Sequence, residues 1–177
     1  MHLFTKTPQE MGAELYESLR QELEPGGVLS VERLCNDLIE GGAIPHDQST
    51  GEAMIGCLFA AAVAIESSAW RAHAAGIREG AETEFLRHLR EQGATTEQAE
   101  EWEAVMRDRF AEFFQCLPAD ASVPLPESLG ESLVLHLSGA DAVTPYAALR
   151  ATQYLTSARA KVRILLDKTP PHAGSAR

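Results

Sequence analysis

The stretch from Ala53 to Ile65 constrains this chain more than any other part of it. It is a run of 13 apolar residues that includes one glycine, Gly56, and no charged side chain. Such a run is too short to cross a bilayer, which takes about 20 helical residues. A helix that is apolar on all sides is normally surrounded by other helices. The sequence therefore predicts a buried central helix from about Gly51 to Ala75, and no membrane anchor.

The segments around this helix have the sequence marks of helix starts. Thr7 is followed three residues later by Glu10, and Thr95 by Gln98, and both pairs fit a capping box. Ser30 is predicted to cap a shorter helix. A low aromatic content of 6% favours closely packed helices over a β-sandwich. We predict an all-α fold: an irregular or orthogonal bundle of six or seven helices around the Ala-rich central helix.

The chain is long enough for one domain with its own core. Its 177 residues suit a single unit that needs no disulfide or metal to fold. Residues 118–126 contain three prolines and are predicted to form a connection inside the domain, because the segment beyond them is too short for a separate core. We expect residues 1–168 to be one helical domain and residues 169–177 to be a disordered polar tail.

The charge balance makes nucleic acid and membranes improbable partners. The chain has 15 basic and 26 acidic residues and a formal net charge of −11, which repels phosphate backbones and anionic lipids. The last third is the exception, with 6 basic and 5 acidic residues after position 118. A nucleic-acid-linked regulator acting through the last helix is therefore a third functional hypothesis. The basic residues of that helix are Arg150, Arg159, Lys161, Arg163 and Lys168.

The sequence contains no motif for catalysis, metal binding or cofactor binding. It has no Gly-x-Ser-x-Gly, no Walker loop and no Glu-x-x-His pair, which are the spacings that nucleophiles, phosphates and di-iron centres require. The three cysteines, Cys35, Cys57 and Cys116, are far apart and odd in number, as is typical of reduced thiols in the cytoplasm. We predict no catalytic residue, metal or cofactor, and we favour a cytoplasmic protein that is not an enzyme.

The leading functional hypothesis is a protein-interaction module: an adaptor, an inhibitor or an immunity-type partner that also associates with itself, with a homodimer as the expected form. Phe113 and Phe114 are adjacent in a predicted helix, so their side chains point about 100° apart. When one of them packs in the core, the other is near its edge. These two residues are the predicted interface.

The alternative hypothesis is a small-molecule or metal site in a pocket beside the central helix. Trp70, His73 and Glu66 would contribute to such a pocket from the central helix, and Glu14 would do so from the first helix. A ligand site of this kind needs a cavity of a few hundred cubic ångströms with a few polar groups in an apolar wall.

Overall fold

The structure is a computed structural model, and it describes residues 6–119, 123–169 and 171. This part of the chain forms seven α-helices and one short 3₁₀ turn, Arg71–His73, and contains no β-strand. The all-α class predicted from the sequence is confirmed. The helices are α1 (Pro8–Leu23), α2 (Val31–Glu40), α3 (Ser49–Glu66), α4 (Ala74–Glu91), α5 (Thr96–Cys116), α6 (Glu127–Ser138) and α7 (Pro145–Lys168).

Helix α3 is the most deeply buried element. Every residue from Glu52 to Ala61 is buried, and α3 contacts each of the other six α-helices. Among the described helices, α3 alone is long and apolar enough to cross a membrane, but 78% of it is buried inside the protein. Burial of this kind is typical of a core helix whose side chains pack on neighbours in every direction.

Helix α3 ends at Glu66 and not at Ala75, so the predicted end of the central helix is wrong. The hydroxyls of Ser67 and Ser68 donate hydrogen bonds to carbonyls of the last α3 turn, at 3.2 and 2.8 Å. Serine hydroxyls that bond to preceding carbonyls compete with the helical backbone. The chain then passes through the 3₁₀ turn Arg71–His73 and starts α4 at Ala74.

The predicted helix starts are confirmed at all three positions. The Thr7 hydroxyl accepts a hydrogen bond from the Glu10 N–H, and the Thr95 hydroxyl accepts one from the Gln98 N–H, both at 3.2 Å. Both capping boxes are complete. Ser30 is the N-cap residue of α2 as predicted, but its hydroxyl makes no capping hydrogen bond. That hydroxyl is available for another contact.

Helices α1 and α4 pack at unusually close range because a glycine lies between them. A Cβ atom on Gly12 would be 2.0 Å from the Ile77 carbonyl oxygen, which is well inside van der Waals contact. A side chain at position 12 would therefore force the two backbones apart. This contact fixes α4 beside α1, and α4 in turn supplies part of both surfaces described below.

The predicted connection and the predicted tail lie only partly within the described residues. Residues 118, 119 and 123–126 are non-helical and connect α5 to α6, while 120–122 lie outside the described residues. The predicted tail lies outside them too, apart from Thr169 and Pro171. The Thr169 carbonyl accepts a 2.7 Å hydrogen bond from the Trp70 indole, so Thr169 belongs to the folded end of α7. The single domain over 1–168 stays a prediction.

Candidate interaction surface

The residues predicted to line a pocket are used in separate contacts. Trp70 is buried, and its indole N–H donates to the carbonyls of Leu166 and Thr169 at 3.4 and 2.7 Å. The His73 ring meets the Trp70 ring edge-on, with 5.9 Å between centroids. The polar atom of Trp70 therefore holds the end of α7 against the turn that follows α3.

Glu66 and Glu14 lie in different surroundings from Trp70 and His73. Glu66 is exposed and pairs with Arg71 at 3.4 Å, and Glu14 pairs with Lys6. Within the described part of the chain, no hydrogen bond or ion pair connects Trp70 or His73 with either glutamate. The alternative site stays a prediction.

The two adjacent phenylalanines of α5 divide between core and surface. Phe113 is fully buried, at 0% exposed, whereas 46% of Phe114 is exposed. The Phe114 ring packs edge-on against Phe59 of α3, with 4.9 Å between centroids. Of the predicted interface pair, only Phe114 is placed where another molecule can reach it, and its buried edge holds it in position.

Phe114 stands between two hollows in the surface. One hollow of about 390 Å³ lies between the end of α3, the 3₁₀ turn and the start of α4. The other, of about 250 Å³, lies between α4 and α5. Phe114 and Arg78 line both. We name this surface the Phe114 patch. It consists of Ala62, Ile65, Glu66, Arg71, Arg78, Glu82, Glu103, Met106, Arg107, Phe110 and Phe114.

The charges of the Phe114 patch balance locally. Its three arginines each have a glutamate partner in the patch: Arg71 with Glu66 at 3.4 Å, Arg78 with Glu82 at 3.5 Å, and Arg107 with Glu103 at 3.4 Å. The whole chain, by contrast, has a net charge of −11. A second acidic molecule therefore meets less repulsion at this surface than the overall charge would produce.

Glu82 is the most enclosed acid of the patch. Burial raises the pKa of its carboxyl, and the charge of Arg78 opposes that rise. The glutamate also lines a narrow crevice together with Ile77 and Phe110. The patch therefore contains a carboxyl group whose protonation depends on its burial.

Several cations of α7 are occupied by contacts within the protein. Arg150 donates to Asp37 at 2.7 Å, Lys161 pairs with Glu22, and Arg159 donates to the Val123 carbonyl at 2.9 Å. Lys161 and Arg150 therefore bind the last helix to acidic residues of α1 and α2. These contacts reduce the positive charge that the helix can present to a phosphate backbone.

Two polar contacts between distant parts of the chain escaped the sequence analysis. Glu52 is buried in α3, and its carboxylate accepts two hydrogen bonds from the Arg109 guanidinium, at 3.0 and 3.1 Å. Glu52 is 57 residues from Arg109 in sequence, so no local pattern marks the pair. The only signal was an acid immediately before a purely apolar run.

The second missed contact brings together a glutamate, a serine and a histidine, which are the residue types found in the catalytic triads of hydrolytic enzymes. Glu112 bonds to the Ser132 hydroxyl and, at 2.9 Å, to the His136 ring. Because the carboxylate lies between the hydroxyl and the imidazole, the histidine is not positioned to take the serine proton directly, as a serine nucleophile requires. The arrangement ties α5 to α6. In residues 6–119, 123–169 and 171, no cluster of three or more His, Cys, Asp or Glu side chains could hold a metal ion.

Comparison with known proteins adds no relative. No protein-family model matches the chain, and no significant match was found among the curated proteins or the solved structures.

Proposed function

We propose that this protein is a non-enzymatic interaction module that associates with itself through the Phe114 patch. The observation that supports the proposal is an exposed aromatic ring flanked by two hollows in a region of balanced charge. Exposed aromatic and arginine side chains are the residue types that contribute most to protein–protein binding. The patch combines both types within one surface.

The shape of the patch suits a contact between two identical molecules. In a two-fold dimer the same surface meets itself, so a projecting group must find a hollow on that same surface. A dry cavity of about 150 Å³ is enough for a benzene ring, and the hollows beside Phe114 measure about 390 and 250 Å³. The Phe114 ring of each molecule can therefore occupy a hollow of the other.

The ion pairs of the patch fit the same arrangement. Arg71 and Arg107 are largely exposed, and each guanidinium has more donors than its single contact uses. In a dimer, these donors can reach glutamates of the second molecule while keeping the local charge balanced. Most of the surface remains acidic, so we expect a reversible dimer and not a permanent one.

The test compares Phe114→Ala with Leu149→Ala by sedimentation over a wide range of protein concentration. Both positions are about half exposed, at 46% and 41%, but Leu149 lies on α7. We expect Phe114→Ala to weaken dimerisation by about ten-fold or more, as loss of an interface anchor does. Leu149→Ala should dimerise like the parent protein.

Two results would contradict the proposal. One is a parent protein that stays monomeric at every concentration, and the other is equal dimerisation of Phe114→Ala and the parent. Phe114→Ala also loses its edge contact with Phe59, at a cost of about 1–2 kcal/mol. Thermal unfolding of the variant checks that a weaker dimer reflects the surface and not a partly unfolded chain.

A further inference from the structure

A second candidate site lies at the opposite end of α3 from the Phe114 patch. There, a cleft of about 650 Å³ opens where the starts of α2 and α3 meet the later turns of α1 and α4. Trp102 of α5 closes one side of it. The volume falls in the range of about 300–1,000 Å³ that small-molecule sites occupy.

The floor of the cleft is apolar and aromatic. It includes Tyr16, Met54, Phe85 and Trp102, and the Phe85 and Trp102 rings meet edge-on with 6.2 Å between centroids. The Trp102 ring covers the first turn of α3 because position 51 is glycine. A Cβ atom on Gly51 would be 2.3 Å from the indole, so a larger residue would displace the ring.

Two hydroxyl groups open onto the cleft and have no hydrogen-bond partner within the described residues. Tyr16 is 2% exposed and Ser30 is 6% exposed, and both line the cleft. Neither hydroxyl forms a hydrogen bond within the described residues. Since the described residues contain no buried side-chain oxygen without a partner, these two oxygens keep contact with the solvent of the cleft, where a ligand can engage them.

The start of α3 supplies two more unused donors. Helix α3 has no side-chain cap at Gln48, and the N–H groups of Thr50 and Gly51 bond to no acceptor within the described chain. Both residues line the cleft beside Ser49. Backbone donors at the first turn of a helix favour a ligand oxygen that accepts hydrogen bonds.

The charged groups at the rim select against a negative ligand. Glu32 and Asp47 line the cleft and have no ion-pair partner within the described residues. Arg20, the nearest guanidinium, is already bound to Glu17 and Glu24, both at 2.7 Å. A carboxylate or phosphate in the cleft would therefore meet two uncompensated carboxylates.

We propose that the cleft binds an uncharged, flat and mostly apolar small molecule that presents a carbonyl-type oxygen to the start of α3. The rings of Phe85 and Trp102 contact its apolar body. The Tyr16 hydroxyl and the α3 backbone donate hydrogen bonds to its oxygen. The site does not depend on dimerisation, because it shares no residue with the Phe114 patch.

The first experiment titrates the protein with two naphthalene dyes followed by fluorescence. One is a neutral dialkylamino-naphthyl ketone, and the other is an anilinonaphthalene sulfonate, which has a similar ring system and a negative charge. We expect saturable binding of the ketone at one site and about ten-fold weaker binding of the sulfonate, because of the rim carboxylates. Absence of saturable ketone binding, or equal affinity for both dyes, overturns the proposal.

Variants then locate the ketone in the cleft. Tyr16→Phe removes only the hydroxyl and should lower affinity by about five-fold, while its melting temperature stays unchanged because the hydroxyl has no partner to lose. Leu89→Trp fills the cleft, which Leu89 lines, and should abolish binding. Leu149→Trp, on α7, is the matched control and should bind like the parent protein.

Cys35 provides a readout that does not depend on dye brightness. It lines the cleft and is partly exposed, whereas Cys116 is partly exposed elsewhere. Bound ketone should slow alkylation of Cys35, measured by mass spectrometry, and leave Cys116 unaffected. Equal protection of both cysteines, or normal ketone binding by Tyr16→Phe and Leu89→Trp, overturns the proposal. Phe114→Ala should bind the ketone normally, so the two proposals fail separately.

Discussion

The two ends of α3 border surfaces of opposite character. At Gly51 the helix meets a concave cleft with an aromatic floor and backbone N–H donors that have no acceptor within the described part of the chain. At Glu66 it meets the half-exposed Phe114 ring among arginine–glutamate pairs. Unsatisfied donors in a concavity favour a small ligand that supplies an acceptor. A half-exposed ring with balanced charges favours a second protein surface. One buried helix thus borders two surfaces, and the two proposed sites differ because its neighbours differ.

Helix α5 runs alongside both sites and links them. Trp102 covers the start of α3, and Phe114 lies at its end. The two residues are 12 positions apart, which corresponds to about 18 Å along a helix. Between them, Arg109 binds the buried Glu52 of α3. The position of α5 relative to α3 therefore affects both sites.

The largest expected effect tests whether the two sites share this support. Arg109→Ala leaves the Glu52 carboxylate buried without its partner, which should cost about 3 kcal/mol and lower the melting temperature by about 6–12 °C. Ketone binding and dimerisation should both weaken. Trp102 and Phe114 both lie on α5, which is then no longer held against α3 by the Arg109–Glu52 contact.

Arg90→Ala is the control for the Arg109 variant, since Arg90 is exposed and makes no ion pair within the described residues. Its melting temperature should match that of the parent. If Arg109→Ala lost only ketone binding or only dimerisation, this would show that each end of α3 is held independently.

A smaller effect should separate the two sites. Thr95→Ala removes the capping box of α5, at a cost of about 1 kcal/mol. Fraying at that end should disturb Trp102, in the second turn, more than Phe114. Calorimetry should show a lower melting temperature, and ketone affinity should fall while dimerisation is retained. Thr96→Ala, one residue later and without the capping bond, is the matched control. An equal loss at both sites would contradict this separation.

The smallest effect concerns pH at the Phe114 patch. Burial raises the pKa of Glu82 in the folded protein, so its ionised form costs stability at pH values above that pKa. Glu82→Gln should therefore raise the melting temperature at neutral pH by about 1–2 °C. The gain should vanish on acidification, because the parent side chain then becomes neutral as well. Glu100→Gln, at an exposed site on α5, should show no such pH dependence.

Local sequence signals predicted the helices well. The apolar run indicated the buried body of α3, and the pairs that begin with Thr7 and Thr95 marked two helix starts correctly. Adjacent phenylalanines also implied that one of them lies near the surface, and Phe114 does. Each of these signals depends on residues within a few positions of one another, which is the range over which helix geometry acts.

The sites were harder to predict because they depend on contacts between distant residues. The cleft forms only when parts of four helices meet and Trp102 of a fifth packs over Gly51. The pairing of Glu52 with Arg109 likewise crosses 57 positions. The prediction of where α3 ends failed for a different reason. Ser67 and Ser68 can continue a helix or terminate it, and only their hydrogen bonds decide between the two.

The contact between Trp70 and Thr169 makes the fluorescence emission of Trp70 sensitive to the position of the last helix. The chain has two tryptophans, and Trp70 is the buried one whose indole holds the last helix in place. Release of that helix would expose the ring to water and shift its emission to longer wavelength. The fluorescence of a Trp102→Phe background would then report on detachment of the C-terminal helix alone.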